Sequence, residues 1–236
     1  MAIWVGTSGY NYPEWKGSFY PESLPTARML AYYAERFDSV EINYTFYRMP
    51  NEKTLAGWSR ETPERFKLTL KAPKRITHDA RLRDCADALQ RFLQVTQTLD
   101  GKLGALLFQL PPYFRKDLKV FDAFLGALPA SLCAAFEFRH ASWLDEEVFS
   151  RLEARNIALC VADGEKIATP VRMTADYGYF RLRDEGYTPQ DISRWARIIH
   201  EQRARCRELY VYFKHEEAGK GPEFARLLLT ELAALQ

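Results

Sequence analysis

A chain of 236 residues with 47% hydrophobic side chains is long enough for one large core. The net charge of +2 is far from the strongly basic balance of a dedicated nucleic-acid binder, so any anion binding must come from local clustering. No apolar run approaches the ~18 residues of a membrane span, and the chain enters its first strand at Ala2 without a charged-then-apolar leader, which leads to the expectation of a cytoplasmic protein.

In chain order, short apolar runs end repeatedly on charged or amide side chains. Ile3-Trp4-Val5 leads to Thr7-Ser8, Val40-Glu41-Ile42-Asn43 carries two polar groups, and Phe66 to Leu70 ends on Lys71. Leu106-Leu107-Phe108 ends on Gln109, Ala135 to Arg139 contains Glu137, and Leu159-Cys160-Val161 leads to Asp163. The last two are Tyr179 to Arg183, with Arg181 inside, and Tyr210 to Phe213, followed by Lys214-His215.

Between most of these runs lie stretches of helical periodicity: 27–37, 52–60, 82–99, 117–128, 145–155, 189–205 and 222–235. Asn51 suits an N-cap, and Pro189 and Pro222 stand where helix starts tolerate proline. Alternating strands and helices predict parallel pairing, hence a (β/α)8 TIM-type barrel of roughly 30 residues per unit with its site at the carboxyl ends of the strands. Only Gly164 to Thr169 separates the sixth strand from Val171-Arg172-Met173, so the barrel is expected to be irregular there, without a proper sixth helix. No linker or low-complexity tract divides the chain, which reads as one domain over residues 1–236.

The longest irregular stretch, Gly6 to Pro25, carries Tyr10, Tyr12, Trp15, Phe19 and Tyr20 and follows the first strand on the expected active face. It predicts an aromatic wall, a satellite core plugging the barrel mouth, or both. Cys85, Cys133, Cys160 and Cys206 form no pair two residues apart, which argues against a zinc ribbon or a redox pair.

Gly6-Thr7-Ser8-Gly9-Tyr10 with Tyr12, Trp15 and Phe19-Tyr20-Pro21 resembles the opening of the YecE-like family, the domain of unknown function 72. Val40 to Asn43 followed by Thr45-Phe46-Tyr47, Lys71 to His78, Leu107 to Pro112, and Glu137 to His140 with Ser142-Trp143 are similar to its later signatures, so the resemblance runs over nearly the whole chain. It implies a TIM-type barrel and no assigned reaction. The likeness of that fold to divalent-metal barrels such as endonuclease IV and xylose isomerase is an analogy of fold alone. The chain departs from the commoner family pattern at Arg181 to Asp184, where many members place a histidine and glycine, and at Phe213 to Glu216, where many place asparagines.

Glu41 and Asn43 lie two apart and face one way on a strand, as do Glu137 and Arg139, and Arg181 and Arg183. Burying each charge costs several kcal/mol unless it is paired. Glu41, Glu137 and Asp163 are therefore the candidate catalytic groups, with a structural ion pair as the standing alternative for Glu41. Ser8, Tyr10, Asn43, Tyr47, Lys71, His78, Gln109, Arg139, Trp143, Arg181, Phe213, Lys214 and Lys220 are the candidate ligand contacts, a basic mouth with aromatic rings beside it. Lys220 enters because Gly219-Lys220-Gly221-Pro222 opens the last helix, a place where barrels bind phosphate.

Three readings follow. One is an enzyme acting on an anionic ligand, phosphorylated, nucleotide-like or sugar-like, as a hydrolase or isomerase using carboxylate acid–base chemistry. Another is a metal-dependent phosphodiesterase or endonuclease-like enzyme, with a divalent metal held by Glu41, Glu137, Asp163 and His215. The last is a non-catalytic binder of nucleic acid or a partner. Substrate and oligomeric state are open at this level.

Overall fold

The structure, a computed structural model, describes residues 1–164 and 167–235. Eight strands, β1 (Ala2–Thr7), β2 (Ser39–Ile42), β3 (Lys67–Lys71), β4 (Leu103–Gln109), β5 (Ala134–Glu137), β6 (Ala158–Ala162), β7 (Tyr177–Leu182) and β8 (Glu208–Phe213), form one sheet. Its order is β1-β8-β7-β6-β5-β4-β3-β2 with every neighbouring pair parallel. The ring closes between β1 and β2 through a bridge of Ser8 with Glu41 and a hydrogen bond from Gly9 N to Glu41 O at 2.8 Å. This is the expected TIM-type barrel.

Below that bridge the two strands do not pair, and a side chain fills the gap. The Tyr33 hydroxyl accepts from Thr7 N at 2.8 Å and donates to Ser39 O at 3.1 Å. One buried phenol thus satisfies two backbone groups that would otherwise be orphaned in the interior.

Strand alternation sorts the side chains into two cores. Ala105, Leu107, Ala135, Ala158, Cys160 and Ala162 fill the inside of the barrel together with Tyr177, Tyr179, Tyr210 and Tyr212. Small residues on β4 to β6 leave the volume that large rings on β7 and β8 occupy, and the barrel is a packed core instead of a pore. Residues of opposite parity, such as Val40, Leu68, Phe108, Phe136, Val161, Phe180 and Val211, join the helices in the outer core.

The helices are α1 (Met29–Ala34), α2 (Tyr44–Tyr47), α3 (Glu52–Glu61), α4 (Ala86–Thr96), α5 (Leu118–Ala127), α6 (Glu146–Ala154), α7 (Pro189–Glu201) and α8 (Lys220–Ala234). Side-chain caps set four of the starts: Asn51 accepts from Thr54 N, Asp117 from Val120 N, Asp145 from Val148 N, and Thr188 forms a capping box with Asp191. The stretch expected from 82 begins as helix only at Ala86, because Arg81, Leu82 and Asp84 take positive φ and the chain first makes a π-helical turn at Arg75–Asp79. The stretch at 27–37 shortens to α1 after a 3-10 turn at Thr26–Arg28, and α8 starts two residues before Pro222. Between β6 and β7 no helix forms among the described residues, as the short spacing predicted. There Thr174 Oγ1 bonds Leu159 N and Ile157 O, both at 2.7 Å, and holds the connection against β6. Among the described residues no helix is long and apolar enough to cross a membrane.

In the loop after β1, Trp15, Phe19 and Tyr20 are buried and pack with Tyr32, Tyr33 and Phe37. They are a satellite core. Tyr10 and Tyr12 stay half-exposed beside the mouth, so the aromatic wall reduces to these two rings.

Candidate functional site

The polar strand endings converge as a layer that caps the barrel interior. Arg181 and its two carboxylate partners, Glu41 and Glu137, are fully buried. Arg181 Nε donates to Glu41 Oε1 at 3.0 Å and Oε2 at 3.2 Å, Nη1 to Glu137 Oε2 at 3.1 Å, and Nη2 to Ser8 Oγ at 3.0 Å. Glu41 also accepts from Ser8 Oγ and, at 2.6 Å, from the Tyr179 hydroxyl, while Asn43 Nδ2 donates to Ser8 Oγ at 2.8 Å. Burial opposes the Arg181 charge, but Glu41 and then Glu137 outweigh it and hold its pKa above the ordinary arginine value. Burial, followed by the nearby Glu41, pushes the Tyr179 phenol well up, so it stays a neutral donor.

Glu137 links this layer to the mouth. Its Oε1 accepts from Gln109 Nε2 at 3.3 Å, pairs with Arg139 Nη2 at 2.5 Å, and lies 4.0 Å from Arg183 Nη1. Above it opens a cavity of about 490 Å³ whose lining includes His78, Gln109, Arg139, Ile167, Arg183 and Glu185. Nε of Arg139 and Nε of Arg183 are buried donors without a partner among the described residues. Such unpaired buried groups are costly.

Lys71 extends from the end of β3 at 8% exposure, with Nζ 4.0 Å from the centroid of the Phe46 ring. Burial, then the positive Arg181, push its pKa from 10.5 down to about 7, although Glu137 and Glu41 pull the other way. His78 packs edge-on with Phe46, ring centroids 4.8 Å apart, and its Nδ1 is bonded to Thr77 Oγ1 at 2.9 Å. Burial and the neighbouring Lys71 shift its pKa downward.

Ser8, Asn43, Lys71, His78, Gln109, Arg139 and Arg181 are thus brought together with Glu41 and Glu137. Asp163 is not. Cys160 and Ala162 face the interior, so Asp163 turns outward, accepting from Arg183 N at 2.7 Å and from the Tyr187 hydroxyl. Burial raises its pKa, with the Tyr187 bond opposing the shift. It holds the loop after β7 and does not face the two glutamates. His215 is buried behind the mouth against Tyr187 and Phe224, with Nε2 2.7 Å from Asp184 O. The proposed metal set Glu41, Glu137, Asp163 and His215 therefore does not assemble: the Arg181 guanidinium stands between the first two. Among the described residues no three His, Cys, Asp or Glu side chains meet as a metal site.

Trp143 and Phe213 do not line the cavity either. Trp143 is fully buried among Phe114, Phe121 and Phe138 and donates Nε1–H to Phe114 O at 2.7 Å, while Phe213 faces Phe224 of α8 in the outer core. Both are aromatic residues near strand ends, but parity and packing turn them outward. Tyr47 lies on the surface at 75% exposure, and Lys214 is paired with Glu216 at 2.8 Å. Lys220 pairs with Glu223 at 2.9 Å, and the turn before it is filled by protein: a Cβ at Gly219 would lie 2.4 Å from Ser18 Oγ, and one at Gly221 2.8 Å from His215 O. The glycines there serve close packing against the β1 loop, and the turn is not joined to the cavity. Tyr179, absent from the sequence candidates, stands two residues before Arg181 on the same face, so the period-two argument applied one step further reaches it.

A parallel eight-stranded barrel with a charged layer at the carboxyl ends of its strands defines the class, a TIM-type barrel protein with a polar mouth. The chain belongs to the DUF72 family, described as proteins of unknown function, whose family model matches residues 4–236. It is 23% identical to the UPF0759 protein YunF of Bacillus subtilis (strain 168), covering 96% of this chain and 93% of that one. It is 28% identical over 171 residues to the UPF0759 protein YecE of Escherichia coli (strain K12), covering 70% of this chain and 60% of YecE. The crystal structure of a DUF72 family protein from Thermotoga maritima MSB8 superposes with a TM-score of 0.89 at 28% identity, covering 99% of this chain and 100% of the other. A DUF72 family protein from Enterococcus faecalis V583 shares the fold at a TM-score of 0.81 and 19% identity, covering 98% of each.

Proposed function

We propose that the protein is an enzyme acting on a small anionic ligand, phosphorylated, nucleotide-like or sugar-like, bound in the cavity above Glu137. The observation that carries this reading is the charge inventory at the mouth. Arg139 and Arg183 line the cavity, and together with Arg181 they crowd the single carboxylate of Glu137. Glu185 also lies on the lining. An anion in the cavity would accept from the guanidinium groups of Arg139 and Arg183, and such charge-assisted bonds are the stronger kind.

Within this reading the roles divide by depth. Glu41 and Arg181 have their polar atoms engaged by protein, and they form a rigid floor that orients Glu137 and, through it, Arg139. Gln109, His78, Arg139 and Arg183 line the cavity and are the groups placed to touch a ligand, and the acid–base work falls to His78, whose pKa burial brings down.

Thermal unfolding at low ionic strength in a panel of inorganic phosphate, sugar phosphates and nucleoside monophosphates tests the reading. A ligand present at a hundredfold excess over its Kd stabilises by about 2.7 kcal/mol. Arg139→Ala and Arg183→Ala are expected to weaken the responding ligand at least tenfold while keeping the fold. A panel in which no anion raises the Tm, or in which both variants respond like the parent, removes the proposal.

A further inference from the structure

Three phenols and an indole surround a second cavity, of about 280 Å³, beside the closure of β1 on β2. Tyr10 and Tyr12 come from the loop after β1, Tyr44 from α2 and Trp58 from α3, while Asn43 and Thr54 supply polar wall. Its lining is distinct from that of the cavity above Glu137. Tyr44 is 46% exposed and Asn11 on the same lining is exposed, so the space opens to solvent. The rings are held in place. Tyr12 donates to Ser8 O at 2.9 Å, and its hydroxyl uses room that Gly9 leaves, where a Cβ would stand 2.3 Å from it. The Tyr20 hydroxyl donates to Tyr10 O, and Trp58 meets Tyr44 edge-on with centroids 6.0 Å apart. Thr54 and Trp58 lie one turn apart on α3 and so face one way.

Hydrogen bonding within the protein decides what this wall offers. Ser8 Oγ gives its one hydrogen to Glu41, so Asn43 must turn its NH2 group to Ser8, at 2.8 Å, and its amide oxygen is left without a partner among the described residues. Thr54 Oγ1 spends its hydrogen on Asn51 Oδ1 at 3.0 Å. These two side chains therefore present oxygen lone pairs, and the rings present faces that are negative by their quadrupole. The phenols stay neutral. Burial, then Glu61, push Tyr10 up to about 12, and burial, then Glu216 and Glu41, push Tyr12 up, with Asn43 and Arg181 opposing. The charged groups acting on them are thus three carboxylates against Arg181, with Lys214 paired to Glu216.

We infer that this cavity is a binding site for a small organic cation, an alkylated ammonium headgroup seated among Tyr10, Tyr12, Tyr44 and Trp58. Aromatic faces attract such a cation electrostatically, and more strongly once both are out of water. The same faces repel an anion. A sugar would ask for donors that Asn43 and Thr54 have committed to Ser8 and Asn51. A volume of about 280 Å³ lies at the small end of ligand pockets, which run from about 300 to 1,000 Å³, so the headgroup must be compact.

The test is titration of the full chain with choline chloride at constant ionic strength, read by tryptophan fluorescence and saturation-transfer NMR. Parallel arms use dimethylbutanol, the uncharged carbon isostere of choline, and glucose. Choline is expected to saturate the protein and to bind roughly tenfold tighter than its isostere. Tyr44→Ala, at a half-exposed position, should weaken choline roughly threefold, and Trp58→Leu, checked for folding by circular dichroism, roughly tenfold. Trp58→Phe keeps a ring and should fall between Trp58→Leu and the parent. Equal binding of choline and dimethylbutanol would mark a merely apolar hollow, and a response to glucose without one to choline would mark a sugar site. Either result overturns the inference, as does the absence of a saturable response to choline. Choline affinity unchanged in both Tyr44→Ala and Trp58→Leu would place the cation elsewhere and overturn it too.

Discussion

Arg181 on β7 reaches across the barrel to Glu41 on β2, 140 positions away in sequence, and donates Nε–H to both carboxylate oxygens at 3.0 and 3.2 Å. Its Nη1 and Nη2 donate to Glu137 and Ser8, so one side chain ties the ends of β1, β2, β5 and β7 into a single charged layer. Removing its charge strands two buried carboxylates. Arg181→Met is expected to cost about 3–5 kcal/mol, the usual effect of breaking a buried ion pair from one side. Urea unfolding measures it, and a loss below about 1 kcal/mol means that Glu41 and Glu137 are neutralised in some other way.

Tyr33 closes the seam where β1 and β2 lack ladder bonds. Tyr33→Phe keeps the ring but leaves Thr7 N and Ser39 O without their partner. The expected cost is about 2–4 kcal/mol, since an unsatisfied buried group costs about 1–3 kcal/mol. The amide of Thr7 should also lose protection in hydrogen exchange, and unchanged protection there would show that the phenol is dispensable to the seam.

Gly6 lies at the same seam, where an added Cβ would stand 2.0 Å from the backbone oxygen of Ser39. Backbone cannot yield as a flexible side chain can. Gly6→Ala should therefore push β1 from β2 and lower stability by roughly 3 kcal/mol, the upper end for overpacking. A variant with the parent's urea midpoint would mean that the seam opens without cost.

Lys71 carries a stability signature that depends on pH. Its folded pKa, about 7, is below the ordinary 10.5, so between these values the unfolded chain binds the proton and the native state does not. Stability then rises with pH through that window, and the penalty of burying the charge is fully present below about pH 7. Lys71→Met is accordingly expected to be more stable than the parent by roughly 2 kcal/mol at pH 6, a difference that shrinks toward pH 10. A difference that is constant across the range would place the lysine's proton on both states alike.

The order of strands and helices was legible in the sequence because it is written locally. Apolar runs of strand length, proline and capping residues such as Asn51 and Thr188, and the 3.6-residue period each depend on a few neighbours. Period two also paired Glu41 with Asn43, Glu137 with Arg139 and Arg181 with Arg183, each pair on one face of its own strand. The same local reasoning missed the late start of α4, where three positive-φ residues interrupt an apolar pattern that looks continuous.

What only the tertiary structure decided is which side of the barrel wall each strand-end residue takes, and what it meets there. Asp163, Trp143 and Phe213 sit near strand ends like the true layer residues, yet one step of parity or a turn in the loop sends them to the outer core or the loop behind it. Arg181 between two glutamates is a set of contacts between strands far apart in the chain, and the Phe46 ring of α2 meets Lys71 only once β3 is in place. Charge pairing is set by distances across the barrel, and sequence spacing carries no information about those until the ring has closed.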